Sequence, residues 1–296
     1  MPAAAVTLAA LNALSGDAFV AALGEVFEHA PWVAEAAARA RPFAGIGALH
    51  DAMIAAVRAA PRARQLEFIR GHPELGSKVA RAELTRESQT EQGSLGLDRL
   101  SGEEFSRFAK LNAAYRERFG FPFIVCVRRH TRDSIFRQFE HRLANERETE
   151  RKTALDEISF ITRLRLVAKV DGPDKPKTDG RLSTHVLDIA RGCPAAGVPI
   201  ALYEIGASAR GLLLETASNA GGRTDQPLLA GEPLRIGSYE LQFNVAAYFA
   251  RQAGGQNSSP PFLGIVPVRF AIAEPEGNYH APLLVTPWCY TTYRGS

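Results

Sequence analysis

Cysteine is scarce in this sequence, and a long apolar run is missing. The 296 residues include three cysteines, Cys126, Cys193 and Cys289, which lie far apart and form no CxxC pair. This spacing argues against a disulfide framework and against a metal site of the structural zinc type. No run of roughly 18 apolar residues occurs, so no membrane span is predicted. The Ala-rich start lacks a basic segment, which argues against a secretory signal peptide.

An excess of charge of one sign is also missing. There are 35 basic and 32 acidic residues, which gives a net charge of +3 and predicts no nucleic-acid partner. Hydrophobic residues make up 46% of the chain and charged residues 23%, a balance typical of globular proteins. The length favours two domains. The composition, rich in Ala, Arg and Gly, suits a bacterial cytoplasmic protein, and we predict a cytoplasmic location with no membrane partner.

The first part of the chain has a helical pattern. Ser101 with Glu104 fits a capping box, and Gly120 fits the end of the same helix. Residues 131–166 form a long charged helical pattern with few breakers. The apolar run at 121–127 has β-branched content, so it is either a strand or a buried extended segment. We predict an all-α N-terminal domain over residues 1–168.

Residues 169–180 are predicted to be a linker, because this stretch is rich in proline, glycine and charge and has no periodicity. Twelve of the 18 prolines fall after residue 170. Residues 181–296 consist of short apolar runs with turn residues between them, a pattern that predicts an all-β sandwich or barrel. The runs predicted to be strands are LSTHVLDIA, VPIALYEI, GLLLETA, YELQFNVAAYF, FLGIVPVRFAIA and YHAPLLVTPWCYTTY.

Four elements of the second domain carry candidate chemistry. His185 lies in LSTHVLD, Arg223 in a Gly-rich loop, His280 in YHAPLL, and the chain stops at Tyr293-Arg294-Gly295-Ser296. Each alone favours a plain structural reading, since a single histidine on an apolar face is typical of a packed core residue. Together they resemble the 5-hydroxyisourate hydrolases of the transthyretin-like family, with YRGS as the specific signal. The family loop usually reads Asp-Gly-Arg, whereas this chain has Gly221-Gly222-Arg223, so an acidic partner is either Asp225 or absent.

The resemblance to the hydrolases implies a prealbumin-like sandwich that assembles as a homotetramer through the C-terminal domain. It also implies hydrolysis of the lactam bond of 5-hydroxyisourate at the subunit interface. A neutral imidazole can take the proton of water, and an arginine can bind carbonyl oxygens. The implied catalytic residues are His185, Arg223, His280 and Ser296, and the implied substrate-binding residues are Tyr293, Arg294 and Gly295. No metal is predicted.

The first domain contains HPELG at 72–76 and SxxEQ at 88–92. Proline after His72 favours an extended backbone that directs the ring. With the run at 121–127, these motifs resemble the OHCU (2-oxo-4-hydroxy-4-carboxy-5-ureidoimidazoline) decarboxylases. The family has an Arg-Leu pair near the end of its last helix, and Arg163 and Arg165 compete for that place, with Arg165 the better fit. The implied catalytic residues are His72 and Glu91, and the implied substrate-binding residues are Pro73, Ser88, Gln92, Ile124, Val125 and Arg165.

No cofactor is predicted for the decarboxylation, because an imine next to the carboxylated carbon can absorb the electron pair left by CO2. His72 suits the proton transfers and Glu91 can polarise it. Ser88 and Gln92 suit the ureido and ring amides, and Arg165 suits a carboxylate or carbonyl.

The two resemblances name consecutive steps of urate degradation. Together they predict a bifunctional enzyme of purine metabolism, a cofactor-free carboxy-lyase and a cyclic amide hydrolase, that converts 5-hydroxyisourate through OHCU to (S)-allantoin. In the alternative reading, only the decarboxylase is active and the transthyretin-like domain is a binding or oligomerisation module. Small-molecule substrates and further copies of this chain are the predicted partners.

Overall fold

The computed structural model describes residues 5–76, 101–207, 209–252 and 260–295. Two compact units divide the chain, one of residues 1–128 with 135–178 and the other of residues 129–134 with 179–296. The first is helical and the second is built from strands, as predicted. The predicted domain limits themselves stay a prediction. No helix within the described ranges is long and apolar enough to cross a membrane.

The helical unit packs its helices around one large apolar core. Ser101 and Glu104 form the predicted capping box, and Gly120 ends that helix with φ +79°. Its described elements are β1 (Val6–Thr7), α1 (Leu8–Ala13), α2 (Gly16–Leu23), α3 (Pro31–Ala38), α4 (Ile46–Ala59), α5 (Arg62–Arg70), α6 (Gly102–Phe119), α7 (Arg132–Arg142), α8 (Arg147–Lys169) and β2 (Val170–Asp171). The first three residues of α7 belong to the other unit.

Two predictions for the helical unit need correction. The charged pattern at 131–166 is not one helix, because α7 ends at Arg142 and α8 begins at Arg147. The first part of the predicted linker is not free chain, since β2 pairs with β1. Its next residues accept hydrogen bonds at the start of α4, from Ile46 N to the carbonyl oxygen of Pro173 at 3.0 Å. Backbone pairing over a long sequence separation leaves no local signal, so composition alone indicated a linker here.

The second unit is a sandwich of two four-stranded sheets, ordered β7-β6-β8-β9 and β12-β11-β4-β5, with β3 and β10 as a separate parallel pair. Alternate residues of both sheets meet in one apolar core. The described elements are β3 (Arg181–Ser183), β4 (Val186–Asp188), β5 (Cys193–Pro194), β6 (Pro199–Ile205), β7 (Arg210–Ala217), β8 (Gly237–Asn244), α9 (Val245–Gln252), β9 (Ile265–Ile272), β10 (Asn278–His280), β11 (Leu283–Val285) and β12 (Tyr290–Thr292).

Three of the predicted strands are wrong over part of their length. LSTHVLDIA is divided into β3 and β4, which belong to different sheets. YELQFNVAAYF leaves the sheet after Asn244 and continues as helix α9. The Asn244 side chain accepts a hydrogen bond from Ala247 N at 3.0 Å, which satisfies a free amide at the helix start. YHAPLLVTPWCYTTY is three strands, of which β11 and β12 form an antiparallel hairpin. The turn between them brings the last strand back along the sheet.

Candidate active sites

His72 lies just after α5, at the edge of a cavity in the helical unit. Its backbone N–H donates to the carbonyl oxygen of Ile69 at 3.1 Å, which continues the last turn of the helix. Its Nδ1 lies 3.0 Å from the carbonyl oxygen of Phe68. Because a carbonyl only accepts hydrogen bonds, Nδ1 must carry the proton and Nε2 must keep its lone pair. The helix end therefore fixes one tautomer of the His72 ring.

The surroundings keep the His72 ring neutral. Burial lowers its pKa from 6.5 to about 4, and the positive charge of Arg165 adds to this effect. The Phe68 carbonyl and the negative charge of Glu28 act in the opposite direction. At neutral pH the ring can therefore accept a proton at Nε2.

Arg165 lines the same cavity, and its Nη1 lies 3.5 Å from Oε2 of Glu28. Both side chains are almost fully buried, so their opposite charges offset each other inside the unit. Arg163 instead lies with its guanidinium 5.7 Å from the centre of the Phe160 ring. The geometry thus favours Arg165 over Arg163 as the arginine that faces a ligand.

Residues 121–127 form a buried extended segment, one of the two predicted alternatives, which leads into a 3-10 turn at Val127–Arg129. Side chains from α7 and α8 hold its backbone in place of a β-ladder. Arg142 donates to the carbonyl oxygen of Ile124 at 2.8 Å, and the backbone N–H of Cys126 donates to Glu157 at 2.7 Å. This anchoring turns Ile124 and Val125 toward the cavity.

The cavity brings together five of the predicted residues: His72, Pro73, Ile124, Val125 and Arg165. The predicted residues Ser88, Glu91 and Gln92 lie outside the described part of the chain. Sequence reasoning missed Glu28, which is 3% exposed and lines the cavity. A charged residue inside the apolar stretch EVFEHAPWV was the one signal that could have indicated it.

The second cluster forms near the ends of strands β3, β4 and β10 in the sandwich unit. His185 pairs with Arg223 through an isolated antiparallel bridge, and His280 pairs with Gly295 in the same way. The two histidines and the arginine thereby come close enough for their charges to interact. Arg294 places its guanidinium 4.8 Å from the centre of the Tyr279 ring, and Tyr293 is 58% exposed. Ser296 lies outside the described residues.

Both histidines of this cluster favour the neutral state. Burial lowers the pKa of His185, and Arg223 lowers it further. Burial also lowers the pKa of His280, and the charges of Arg223 and His185 add to it. A neutral pair next to a fixed cation can accept a proton from water while the arginine faces a developing negative charge.

The two glycines of this cluster leave no room for a side chain. Gly222 has φ +74°, and a Cβ there would lie 2.4 Å from the carbonyl oxygen of Val186. A Cβ on Gly295 would lie 2.7 Å from Cδ2 of His280. Asp225, the candidate acidic partner of Arg223, instead accepts a hydrogen bond from the Asn219 amide at 3.0 Å. The other Asn219 side-chain atom, Oδ1, accepts from Arg223 N at 3.2 Å, so this loop is held by an asparagine.

Metal ligands are not assembled in either unit as far as the chain is described. No group of three or more His, Cys, Asp or Glu side chains suited to a metal ion occurs among those residues.

Known proteins match both units. The family model for OHCU decarboxylase matches residues 12–167, and that for the HIUase/Transthyretin family matches residues 182–295. A 2-oxo-4-hydroxy-4-carboxy-5-ureidoimidazoline decarboxylase of Haloferax volcanii is 45% identical over 55% of this chain and 95% of its own. A 5-hydroxyisourate hydrolase of Pseudomonas aeruginosa is 48% identical over 41% of this chain and 96% of its own.

One solved structure is similar along the whole chain. A crystal structure of (S)-allantoin synthase is 34% identical, covers 98% of this chain and 100% of that one, and superposes with a TM-score of 0.53. Each part of the chain also matches a relative that it covers almost completely. The chain belongs to the OHCU decarboxylase family in its first part and to the HIUase/Transthyretin family in its second.

Proposed function

We propose that this chain is a bifunctional enzyme of urate degradation. Its C-terminal domain hydrolyses 5-hydroxyisourate to OHCU, and its N-terminal domain decarboxylates OHCU to (S)-allantoin. The observation that carries the proposal is the whole-chain similarity to (S)-allantoin synthase. The clustering of the predicted residues at one place in each unit supports it.

In the decarboxylation, Arg165 binds the substrate carboxylate or a ring carbonyl by paired hydrogen bonds. When the bond to CO2 breaks, its electron pair moves toward the adjacent imine. The imine nitrogen takes up a proton, the hydroxyl proton leaves as a ring carbonyl forms, and the new stereocentre receives a proton on one face, so that one proton is gained for the CO2 lost. His72, with a bare Nε2 at neutral pH, serves these proton transfers together with Glu91. Pro73, Ser88, Gln92, Ile124 and Val125 complete the proposed substrate contacts.

In the hydrolysis, one of the neutral rings, His185 or His280, takes a proton from water as its oxygen adds to the lactam carbon. Arg223 binds the carbonyl oxygen as it gains negative charge. The C–N bond then breaks, and the imidazolium returns the proton to the leaving nitrogen. Tyr293, Arg294, Gly295 and Ser296 form the remaining contacts in this proposal, which the Gly295–His280 bridge supports.

We also propose a homotetramer assembled through the C-terminal domain. Strand β12 has the hairpin partner β11 on one side, and all three of its residues are exposed. Trp288 is 69% exposed next to it. An exposed edge strand with aromatic neighbours suits pairing with a second copy. A cytoplasmic location and domain limits of 1–168 and 181–296 belong to the same proposal.

The test is to generate 5-hydroxyisourate with urate oxidase and to follow its absorbance and the chirality of the allantoin formed. The protein should accelerate the decay of 5-hydroxyisourate and yield (S)-allantoin. Accelerated decarboxylation with unchanged decay of 5-hydroxyisourate would reduce the second domain to the binding module of the alternative reading. Formation of racemic allantoin would contradict the proposed decarboxylase activity of the N-terminal domain.

A further inference from the structure

Ser183 and His280 are brought together by strand pairing. Strands β3 and β10 are parallel, and their register places Ser183 opposite His280 and Leu182 opposite Tyr279. Leu182 and Tyr279 are both buried in the sandwich core. Because successive residues of a strand face opposite sides, Ser183 and His280 share the other face. They are therefore cross-strand neighbours at the candidate hydrolase site.

The Ser183 hydroxyl contacts one particular nitrogen of the imidazole. Its Oγ lies 3.0 Å from His280 Nδ1 and 3.4 Å from the carbonyl oxygen of Tyr279. The hydroxyl has one proton to donate, and the Tyr279 carbonyl can only accept. When Ser183 donates to that carbonyl, a lone pair of its oxygen accepts the proton of Nδ1.

The backbone of Ser183 supports the same direction of the hydrogen bond, with the His280 ring as donor. Hydrogen bonding to the backbone carbonyl of Ser183 raises the pKa of His280, against the lowering caused by burial and charge. The carbonyl oxygen of Ser183 accepts from Ala281 N at 3.0 Å, and its effect on the pKa of His280 agrees with a ring that donates toward β3.

We propose that Ser183 is a positioning residue that holds His280 as the Nδ1–H tautomer, with Nε2 as the basic nitrogen of the hydrolysis. This inference rests on the proposed role of His280 in the hydrolysis. In a ring with the opposite tautomer, Nε2 carries a proton and cannot accept one from water. The hydrogen bond also strengthens as the ring becomes an imidazolium, which favours the transition state over the ground state.

The test compares Ser183→Thr with Ser183→Val, because these side chains have the same shape and differ in the hydroxyl. Both suit a strand, since β-branched residues are favoured there. The threonine variant should keep hydrolysis close to that of the unchanged protein. The valine variant should lose about tenfold in kcat with little change in KM, the order expected for one hydrogen bond to a ring that gains charge. Decarboxylation of supplied OHCU by the same samples serves as the internal control.

Thr184→Val is the matched control for a merely structural role. The Thr184 hydroxyl donates to the carbonyl oxygen of Ala281 at 2.7 Å and so ties the same two segments together. This variant should lower the unfolding temperature and leave kcat for hydrolysis nearly unchanged. A loss of kcat equal to that of Ser183→Val would show that strand anchoring, not the tautomer, is responsible.

His280→Asn separates failure of this inference from failure of the proposed function. We expect this variant to lose most of the hydrolase activity. If it is inactive while Ser183→Val and Ser183→Thr are equally active, Ser183 has no positioning role and the proposed function stands. If His280→Asn hydrolyses normally, the proposed role of His280 fails, and the role of Ser183 fails with it.

Discussion

The two candidate sites fix a histidine tautomer by different means. In the helical unit, a backbone carbonyl that can only accept holds Nδ1 of His72, and burial lowers the pKa of that ring to about 4. In the sandwich unit, a hydroxyl that can donate or accept holds Nδ1 of His280, and burial lowers the pKa of that ring as well. The first arrangement is set by the helix end and the second depends on one side chain. A single substitution can therefore test the second without disturbing the backbone.

The sites also differ in how completely one copy of the chain encloses them. His72, Arg165 and Glu28 line a cavity together with buried residues of their own unit. The second cluster includes the exposed Arg223 and lies beside an exposed C-terminal segment. A site with so much open surface has weaker electrostatic interactions unless another molecule covers it. This difference supports the proposed assembly of the second unit. The site in the first unit is enclosed by a single copy and needs no assembly.

Substitution of His72 should produce the largest difference between the two activities. In His72→Asn we expect decarboxylation to fall by about 10²–10⁴, the usual contribution of a general acid or base. Hydrolysis should be unchanged, so OHCU accumulates and decays to racemic allantoin. Circular dichroism of the product and absorbance of 5-hydroxyisourate measure the two activities in one sample.

His29→Asn is the matched control for that experiment. His29 is exposed and has φ +54°, a conformation that asparagine tolerates well. The control should retain both activities. Optically active allantoin from His72→Asn would remove this histidine from the mechanism.

Removal of residues 293–296 should have the next largest effect, on the opposite site. The deletion takes away the bridge between Gly295 and His280 and several polar groups. Losing one such group commonly costs about 10²–10³ in rate, so hydrolysis should fall at least about a hundredfold. Supplied OHCU should still be converted stereospecifically. Glu215→Gln, at an exposed position of β7, is the control that should leave hydrolysis intact.

Size-exclusion chromatography must accompany the deletion, because the tail lies near the proposed assembly surface. Near-normal hydrolysis by a truncated protein of unchanged oligomeric state would show that the tail is not part of the site.

Local signals predicted much of this structure, and long-range contacts account for what they missed. The capping box at Ser101 depends on residues three positions apart, so the sequence contains the whole signal. Helix α9 was predicted as strand because its apolar residues continue those of β8, and the helix start at Asn244 is a single weak signal. The clustering of His185, Arg223 and His280 was expected only from a family resemblance, since over 90 residues separate the two histidines.

The cavity shows the same limit at the level of side chains. The Arg-Leu pair of the family left Arg163 and Arg165 as alternatives, because both lie on α8 and only the packing of that helix decides which faces the cavity. Glu28 was missed for a related reason. Nothing in its neighbourhood in sequence predicts an ion pair with a residue of α8 more than 130 positions away.

The pH dependence of the two activities should differ between the two sites, and this effect is expected to be smaller than those of the substitutions above. Each reaction needs a neutral histidine, so each rate falls as acid protonates that ring. The acid limb of decarboxylation, the fall of its rate at low pH, should have its midpoint near pH 4, because burial lowers the pKa of His72 to about 4. The midpoint for hydrolysis should lie below pH 6.5, since burial and the charge of Arg223 lower the pKa of His280.

Rates are measured from pH 3.5 to 8, with far-ultraviolet circular dichroism at each pH. Below pH 6.5 the unfolded chain binds protons at His72 that the folded chain does not, so stability falls as the pH approaches 4. The enzyme must remain folded where a rate is interpreted. Loss of decarboxylation already near pH 6.5 would contradict the lowered pKa of His72, and an acid limb of hydrolysis above pH 6.5 would contradict that of His280.

Glu28→Gln should have the smallest effect, a shift of one acid limb alone. The negative charge of Glu28 raises the pKa of His72, so its removal should lower that pKa and move the limb of decarboxylation to lower pH. At pH 7 the ring is neutral in either case, and any change there should appear in KM, through the less firmly held Arg165. Glu25→Gln removes a comparable but exposed ion pair, to Lys169 of the same helix at 3.7 Å, and should shift nothing. An unmoved limb in Glu28→Gln would mean that burial alone controls His72, whereas an equal shift in both variants would reveal a general surface-charge effect.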